Sequence, residues 1–353
     1  VVLACQNPVE AVENGQLDPE LWDGVAPKEG AIAPLRERRR DLAAWVDRFI
    51  AKHNPTAGKE VRGITPDAMN VIYGYGWPRN TEELEEVVRR GVSLADGPQL
   101  TSDQIFVGIG DFQGGGFNLL RIQGLRRLLE NRHFPRLVQA VTVAFLGIIL
   151  LSAFWGPRHS ADNVALVLAW ALMWLLLIVS LLFGARIFCA TCPMGATAAF
   201  VQRRWTLGRK VPAFIKKYGL YGAGLGFVLI IWVEQVTRMI SFPLATAYLF
   251  LSILSGAVVA GLIFERAAWC RYLCPLGRMI GVYATVSMVG LRSNGNVCSS
   301  GCSTHSCYTG NEQVRGCPFY QGAFSLQSNE FCKLCADCIK ICPNRSEHLY
   351  LRV

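Results

Sequence analysis

Apolar residues are scattered through residues 1–136 and then crowd into four runs. Leu137–Trp155 and Val164–Gly184 form a first pair, joined by the short loop Gly156–Asn163. Leu220–Arg238 and Ala245–Phe264 form a second, joined by a short loop through Pro243. Each run approaches the roughly 20 residues that a helix needs to cross hydrocarbon. Four such runs in hairpin order predict an α-helical membrane protein with four transmembrane helices rather than a set of buried core helices. In the polar third, Leu35–His53 predicts a basic amphipathic helix. Asn80 followed by Glu83 predicts a capped helix over Thr81–Arg90. The Gly-rich stretch Gly108–Gly116 lacks the strand–helix frame and the Lys-Ser/Thr partner of a phosphate-cradling loop, so it predicts a flexible turn.

Three regions follow. Residues 1–136 form an N-terminal soluble docking region, mainly helical or irregular. Residues 137–291 form the four-helix transmembrane domain, and residues 292–353 a ferredoxin-like domain. Hydrophobic residues make up 52% of the chain, charged ones only 17%, and mean hydropathy is +0.29, values that exclude a simple soluble protein. The net charge of +9 is not spread evenly. Arg126, Arg127, Arg132 and Arg136 precede the first run, and Arg203, Arg204, Arg209, Lys210, Lys216 and Lys217 separate the second from the third. Arg266, Arg271 and Arg278 follow the fourth, while the hairpin loops hold only Arg158 and the borderline Arg238. This asymmetry predicts a multi-pass protein of the inner (cytoplasmic) membrane, with the N-terminus, the cysteine motifs and the C-terminal domain on the cytoplasmic side. It also argues against nucleic acid as the partner of the basic residues.

The chemistry is written in cysteine. Cys332, Cys335, Cys338 and Cys342-Pro343 give C-x2-C-x2-C-x3-C-P, the spacing with which bacterial ferredoxins hold [4Fe–4S] clusters. Zinc also uses C-x2-C pairs, but not usually this run. A looser set, Cys298, Cys302, Cys307 and Cys317-Pro318, precedes it. In two-cluster ferredoxins the last cysteine of each set ligates the other cluster. That rule predicts one centre on Cys298, Cys302, Cys307 and Cys342, and another on Cys332, Cys335, Cys338 and Cys317.

An internal repeat supplies four further thiols. Phe188-Cys189-Ala-Thr-Cys192-Pro193-Met-Gly195 follows the first hairpin, and Trp269-Cys270-Arg-Tyr-Leu-Cys274-Pro275-Leu-Gly277 the second. Three readings fit Cys189, Cys192, Cys270 and Cys274: a third [4Fe–4S] cluster, a redox dithiol or metal relay, or small buried cysteines. Of thirteen cysteines only Cys5 stands apart; Leu3-Ala4-Cys5 is a weak match to the end of a lipoprotein signal. No C-x2-C-H motif is present and none of the five histidines lies in an apolar run, so no haem is expected. His305, among the cluster cysteines, is expected to face solvent. Glu234 and Arg238 read as an interfacial ion pair, with a quinone or proton site as the alternative.

Four spans with a Cys-Pro pair after each hairpin, followed by a double ferredoxin, resemble the NapH/NosR-type polytopic membrane ferredoxins, with FixG/CcoG-like proteins as more distant relatives. The resemblance covers about 137–353. It implies an iron–sulfur electron-transfer subunit relaying electrons between a quinone pool or a cytoplasmic donor and partner oxidoreductase subunits, with catalysis on the partner. It also allows a metalloenzyme maturation or metal-reduction factor, or a redox-sensing membrane regulator. The flavin-attachment Ser-Gly-Ala-Thr is missing from the N-terminal third, so flavin is not expected.

Overall fold

The computed structural model describes residues 8–16, 18–25, 32–108, 117–159, 162–184, 186–300, 302, 304–312 and 314–351. Cys5 and nearly all of the Gly108–Gly116 stretch lie outside these residues. The chain divides into two compact units, Val1–Ile105 and Phe106–Val353.

In the first unit three helices, Leu42–Ala57, Pro66–Gly74 and Asn80–Ser93, enclose a core of Leu42, Val46, Ile72, Trp77, Leu84 and Val88, all fully buried. Two-residue strands β1 (Gly63–Ile64) and β2 (Gln99–Leu100) pair in parallel beside them. The first of these helices starts at Leu42 rather than Leu35, because Leu35 is fully buried in a turn and its N–H donates to Asn80 Oδ1 at 2.9 Å. Asn80 is therefore not the cap that the sequence pattern predicts. Glu83 does the capping instead, accepting from the Arg79 N–H at 3.2 Å and from the Tyr75 hydroxyl at 2.9 Å. Trp77 donates its indole N–H to the Ile72 carbonyl at 3.0 Å, which satisfies its one polar group inside the core.

The second unit holds four helices long and apolar enough to cross a membrane: Arg136–Trp155, Val164–Phe183, Ala213–Thr237 and Pro243–Ile263. Three match the apolar runs within two residues at either end. Ala213–Thr237 begins earlier than its run because Lys216 and Lys217 extend the helix without breaking its hydrogen bonding. Small residues let these helices approach: Ala153, Ala165, Ala169, Ala247 and Ala257 are buried in one cluster with Leu146, Ile149 and Phe250. Thr246, fully buried, accepts the Trp170 indole N–H at 3.0 Å. The outward faces are also apolar, with Leu137 and Leu225 among the most exposed residues. A face of that kind is poorly solvated by water and calls for an apolar neighbour.

Beyond the helices, β3 (Phe117–Asn118), β5 (Glu347–Leu351) and β4 (Val289–Ser293) form an antiparallel sheet in that order. Leu291 opposes Leu349, and both point into a small core with Leu120, Leu129, Cys332 and Ala336. The sheet thus joins the chain before the first long helix to the cysteine-rich end.

Candidate metal centres

The two Cys-Pro repeats fold alike. Cys192 and Cys274 are the N-cap residues of helices Pro193–Trp205 and Pro275–Ala284, each with proline at the first helical position, where its missing N–H costs nothing. Gly277 N–H points back at Cys274 Sγ at 3.3 Å, and the Gly195 N–H lies near enough to Cys192 to favour its thiolate without making a side-chain cap bond. Cys-Pro-x-Gly is therefore a local device that aims a backbone donor at sulfur. The glycines also keep the space open: a Cβ on Gly195 would lie 3.4 Å from Cys270 Sγ, and one on Gly277 would lie 3.1 Å from the Cys270 carbonyl oxygen.

Cys189, Cys192, Cys270 and Cys274 line one cavity of about 140 Å³, otherwise walled by apolar side chains such as Trp170, Phe188, Phe250 and Trp269. Cys270 lies on a π-helical turn, Trp269–Leu273, and Trp170 on another, Val167–Leu172; such turns occur often at functional sites. Glu234 lines the same cavity. Arg238 adopts a left-handed conformation that ends its helix, and its backbone N–H returns to the Glu234 carbonyl.

The C-terminal cysteines lie near one another in the second unit, Cys307 within electrostatic reach of Cys338. Cys332, Cys335 and Cys338 lie within electrostatic reach of one another, and Cys317 within reach of Cys332 and Cys335. Cys307 lies beside Cys298 and Cys302. Cys298 and Cys342 both meet the Ser346 hydroxyl, at 3.4 and 3.5 Å. The loop between Cys332 and Cys338 turns tightly, with Leu334 and Ala336 at φ 54° and 62°. Non-glycine residues seldom sit there unless their surroundings enforce it.

Burial governs the ionisation of these thiols. It pushes Cys192 and Cys332 up to about 12 and Cys274, Cys335 and Cys338 well above the ordinary thiol range. Left alone, they would be neutral; a bound metal requires them as thiolates. Among the described residues, no three His, Cys, Asp or Glu groups converge on the position of a single metal ion. Four thiolates are the donor set that iron–sulfur clusters take.

His305 departs from expectation. It is 1% exposed, not solvent-facing, because a left-handed turn (φ 46°) drives its ring edge-on against Phe324 at 5.5 Å. Sequence reasoning also passed over Arg186 and Lys333, both buried among the cysteines. Their signal was positional: Arg186 is three residues before Cys189, and Lys333 lies inside the C-terminal motif.

Comparison with known proteins finds different families for different parts of the chain. Residues 166–213 and 246–286 match a 4Fe-4S binding domain family, which supports iron–sulfur clusters and includes all four cysteines of the paired repeats. Residues 36–111 match the AAA+ ATPase lid domain. The nitrogen fixation protein AnfA of Azotobacter vinelandii is 37% identical over 26% of this chain and 17% of its own length. The transcriptional regulatory protein XylR of Pseudomonas putida is 32% identical over 30% of this chain and 19% of its own. The regulatory protein AtoC of Escherichia coli is 31% identical over 30% of this chain and 23% of its own. The chain thus spans about a fifth of the length of these relatives. Two of these relatives, XylR and AtoC, are named as regulatory proteins. They overturn the expectations of a membrane electron-transport subunit, of oxidoreductase partners without nucleic acid, and of an inner-membrane location. The physical reason for the error lies in the first unit, whose compact helical core carries no ligand or catalytic spacing that marks a role, so the cysteines alone set the reading.

Proposed function

We propose that the chain serves transcription regulation, with iron–sulfur chemistry in the second unit as its input and the lid-type first unit as part of its regulatory machinery. The observation that carries this reading is the presence, in one chain, of an AAA+ lid match and a 4Fe-4S match, beside relatives named as transcriptional regulators. Three centres of four thiols each suit the input. The first uses Cys189, Cys192, Cys270 and Cys274, the second Cys317, Cys332, Cys335 and Cys338, and the third Cys298, Cys302, Cys307 and Cys342. When bound, the clusters supply a reversible one-electron change. The residues around them hold the thiolates, exclude water and aim backbone N–H groups at sulfur.

The test is transcript profiling of three strains: the parent, one lacking the chain, and one carrying Cys335→Ser. A common set of transcripts is expected to shift in both altered strains, and the purified Cys335→Ser protein is expected to hold less iron. Unchanged transcripts in both strains, with iron present in the parent protein, would refute the regulatory reading.

A further inference from the structure

Two buried cations lie between the paired-repeat cysteines and the C-terminal motif. Arg186 is 2% exposed and Lys333 9% exposed. The Arg186 guanidinium stacks over the Phe319 ring at 5.1 Å, and its Nε and Nη1 have no hydrogen-bond partner among the described residues. A side chain this costly to bury needs a compensating negative charge. The nearest candidates are thiolates of both sets. Arg186 is within electrostatic reach of Cys189 on one side and Cys332 on the other. Lys333 is within electrostatic reach of Cys189 and Cys270 of the paired repeats, of Cys335 of the C-terminal motif and of Asp337. The two sets are close neighbours in other ways too: a Cβ on Gly184, just before Arg186, would lie 3.3 Å from the Leu334 side chain.

We infer that Arg186 and Lys333 are shared counter-charges that couple the two centres, holding the reduction potentials of both above what their burial alone would give. The inference rests on the cluster reading above. Reduction adds a negative charge to a centre, and a fixed positive charge in a low-dielectric interior favours the reduced form. Because each cation reaches thiols of both centres, removing one charge acts on two potentials at once. Neither cation is among the leading charges that act on Cys307 or Cys342 of the third centre, so that centre should not respond. Arg186 and Lys333 are thus positioning residues, acting through the cysteines.

The test compares the full chain with Lys333→Met, Arg186→Gln and the charge-retaining Lys333→Arg, each assayed for iron and titrated against a chemical reductant under EPR. In Lys333→Met and Arg186→Gln, the reduced-to-oxidised ratio at fixed solution potential should fall about tenfold at two centres, equal to about 59 mV for one electron. Lys333→Arg should restore it, and the third centre should stay put. A shift at one centre alone, an equal shift at all three, or none would overturn the inference. If Arg186→Gln does not fold, the two Lys333 variants decide the matter alone. A parent protein without iron would instead sink the cluster reading itself.

Discussion

Gly261 offers a sharp test of how the second unit is held together. A Cβ there would lie 2.8 Å from the Ala198 carbonyl oxygen, a backbone atom that cannot swing aside. Ala198 belongs to helix Pro193–Trp205, whose N-cap is Cys192. Gly261→Ala therefore forces two helices apart, an overpacking cost of about 1–3 kcal/mol. Alanine returns about 0.5–1 kcal/mol of helix propensity, so the net loss is about 0–2.5 kcal/mol. Gly222 is the matched control: it lies in helix Ala213–Thr237, and a Cβ there meets nothing within 4 Å. Gly222→Ala should keep only the gain. For a domain of this size 1 kcal/mol moves Tm by about 2–4 °C. Thermal unfolding followed by far-ultraviolet circular dichroism should thus place Gly261→Ala several degrees below Gly222→Ala. Iron release on heating should follow the same order, because the helix that shifts carries Cys192. Equal melting temperatures would refute the reasoning, since the clash would then be absorbed without moving the helices.

Other outcomes follow from the same geometry. Trp77→Ala removes a fully buried ring and its 3.0 Å hydrogen bond to the Ile72 carbonyl, so the first unit should lose about 3–5 kcal/mol, read by chemical denaturation. The Lys52 ammonium, 2.6 Å from Glu85, holds that carboxyl below the usual range despite partial burial. Its stabilisation is present above the unfolded carboxyl value of about 4.3 and is lost as pH falls through the lower folded value. Glu85→Gln should flatten stability against pH on the acid side by no more than about 1 kcal/mol, because the pair is half-exposed. Ser346→Ala removes the hydroxyl shared by Cys298 and Cys342, and should lower the reduced fraction of that centre alone, by about 1 kcal/mol in an EPR titration. Chelating the iron should abolish the melting transition of the second unit and leave that of the first, whose only cysteine is Cys5.

The sequence was most legible where chemistry or hydropathy imposes a period. The four apolar runs became four helices because an uninterrupted apolar segment of that length has few other ways to satisfy its backbone. The two proline-terminated cysteine sets were also readable, since Cys317 and Cys342 each stand before a proline at the end of a set. Less legible were contacts between distant segments. Nothing local in Asn80 shows that its amide is taken by Leu35, 45 residues away. His305 looks like a loop histidine until the left-handed turn buries it. The pairing of Gly195 and Gly277 with cysteine sulfur was present as Cys-Pro-x-Gly, but its meaning needs the helix start that the proline sets.

The regulatory reading and the cysteine geometry bear on each other through folding. Buried thiols whose ionisation is suppressed by desolvation must each lose a proton to bind a metal, so metal binding and the structure of the second unit are coupled. Arg186 sharpens this, because a buried guanidinium beside neutral thiols would be poorly compensated charge in a metal-free protein, whereas Lys333 keeps Asp337 nearby. Loss of a cluster would therefore leave a cavity, protonated thiols and a poorly compensated arginine in the same place. The first unit has its own core, centred on Trp77 and Leu84, and draws on none of these groups. On the proposed reading the chain has one part whose structure depends on iron and sulfide and another whose structure does not, as a regulator that reports the state of its clusters would require.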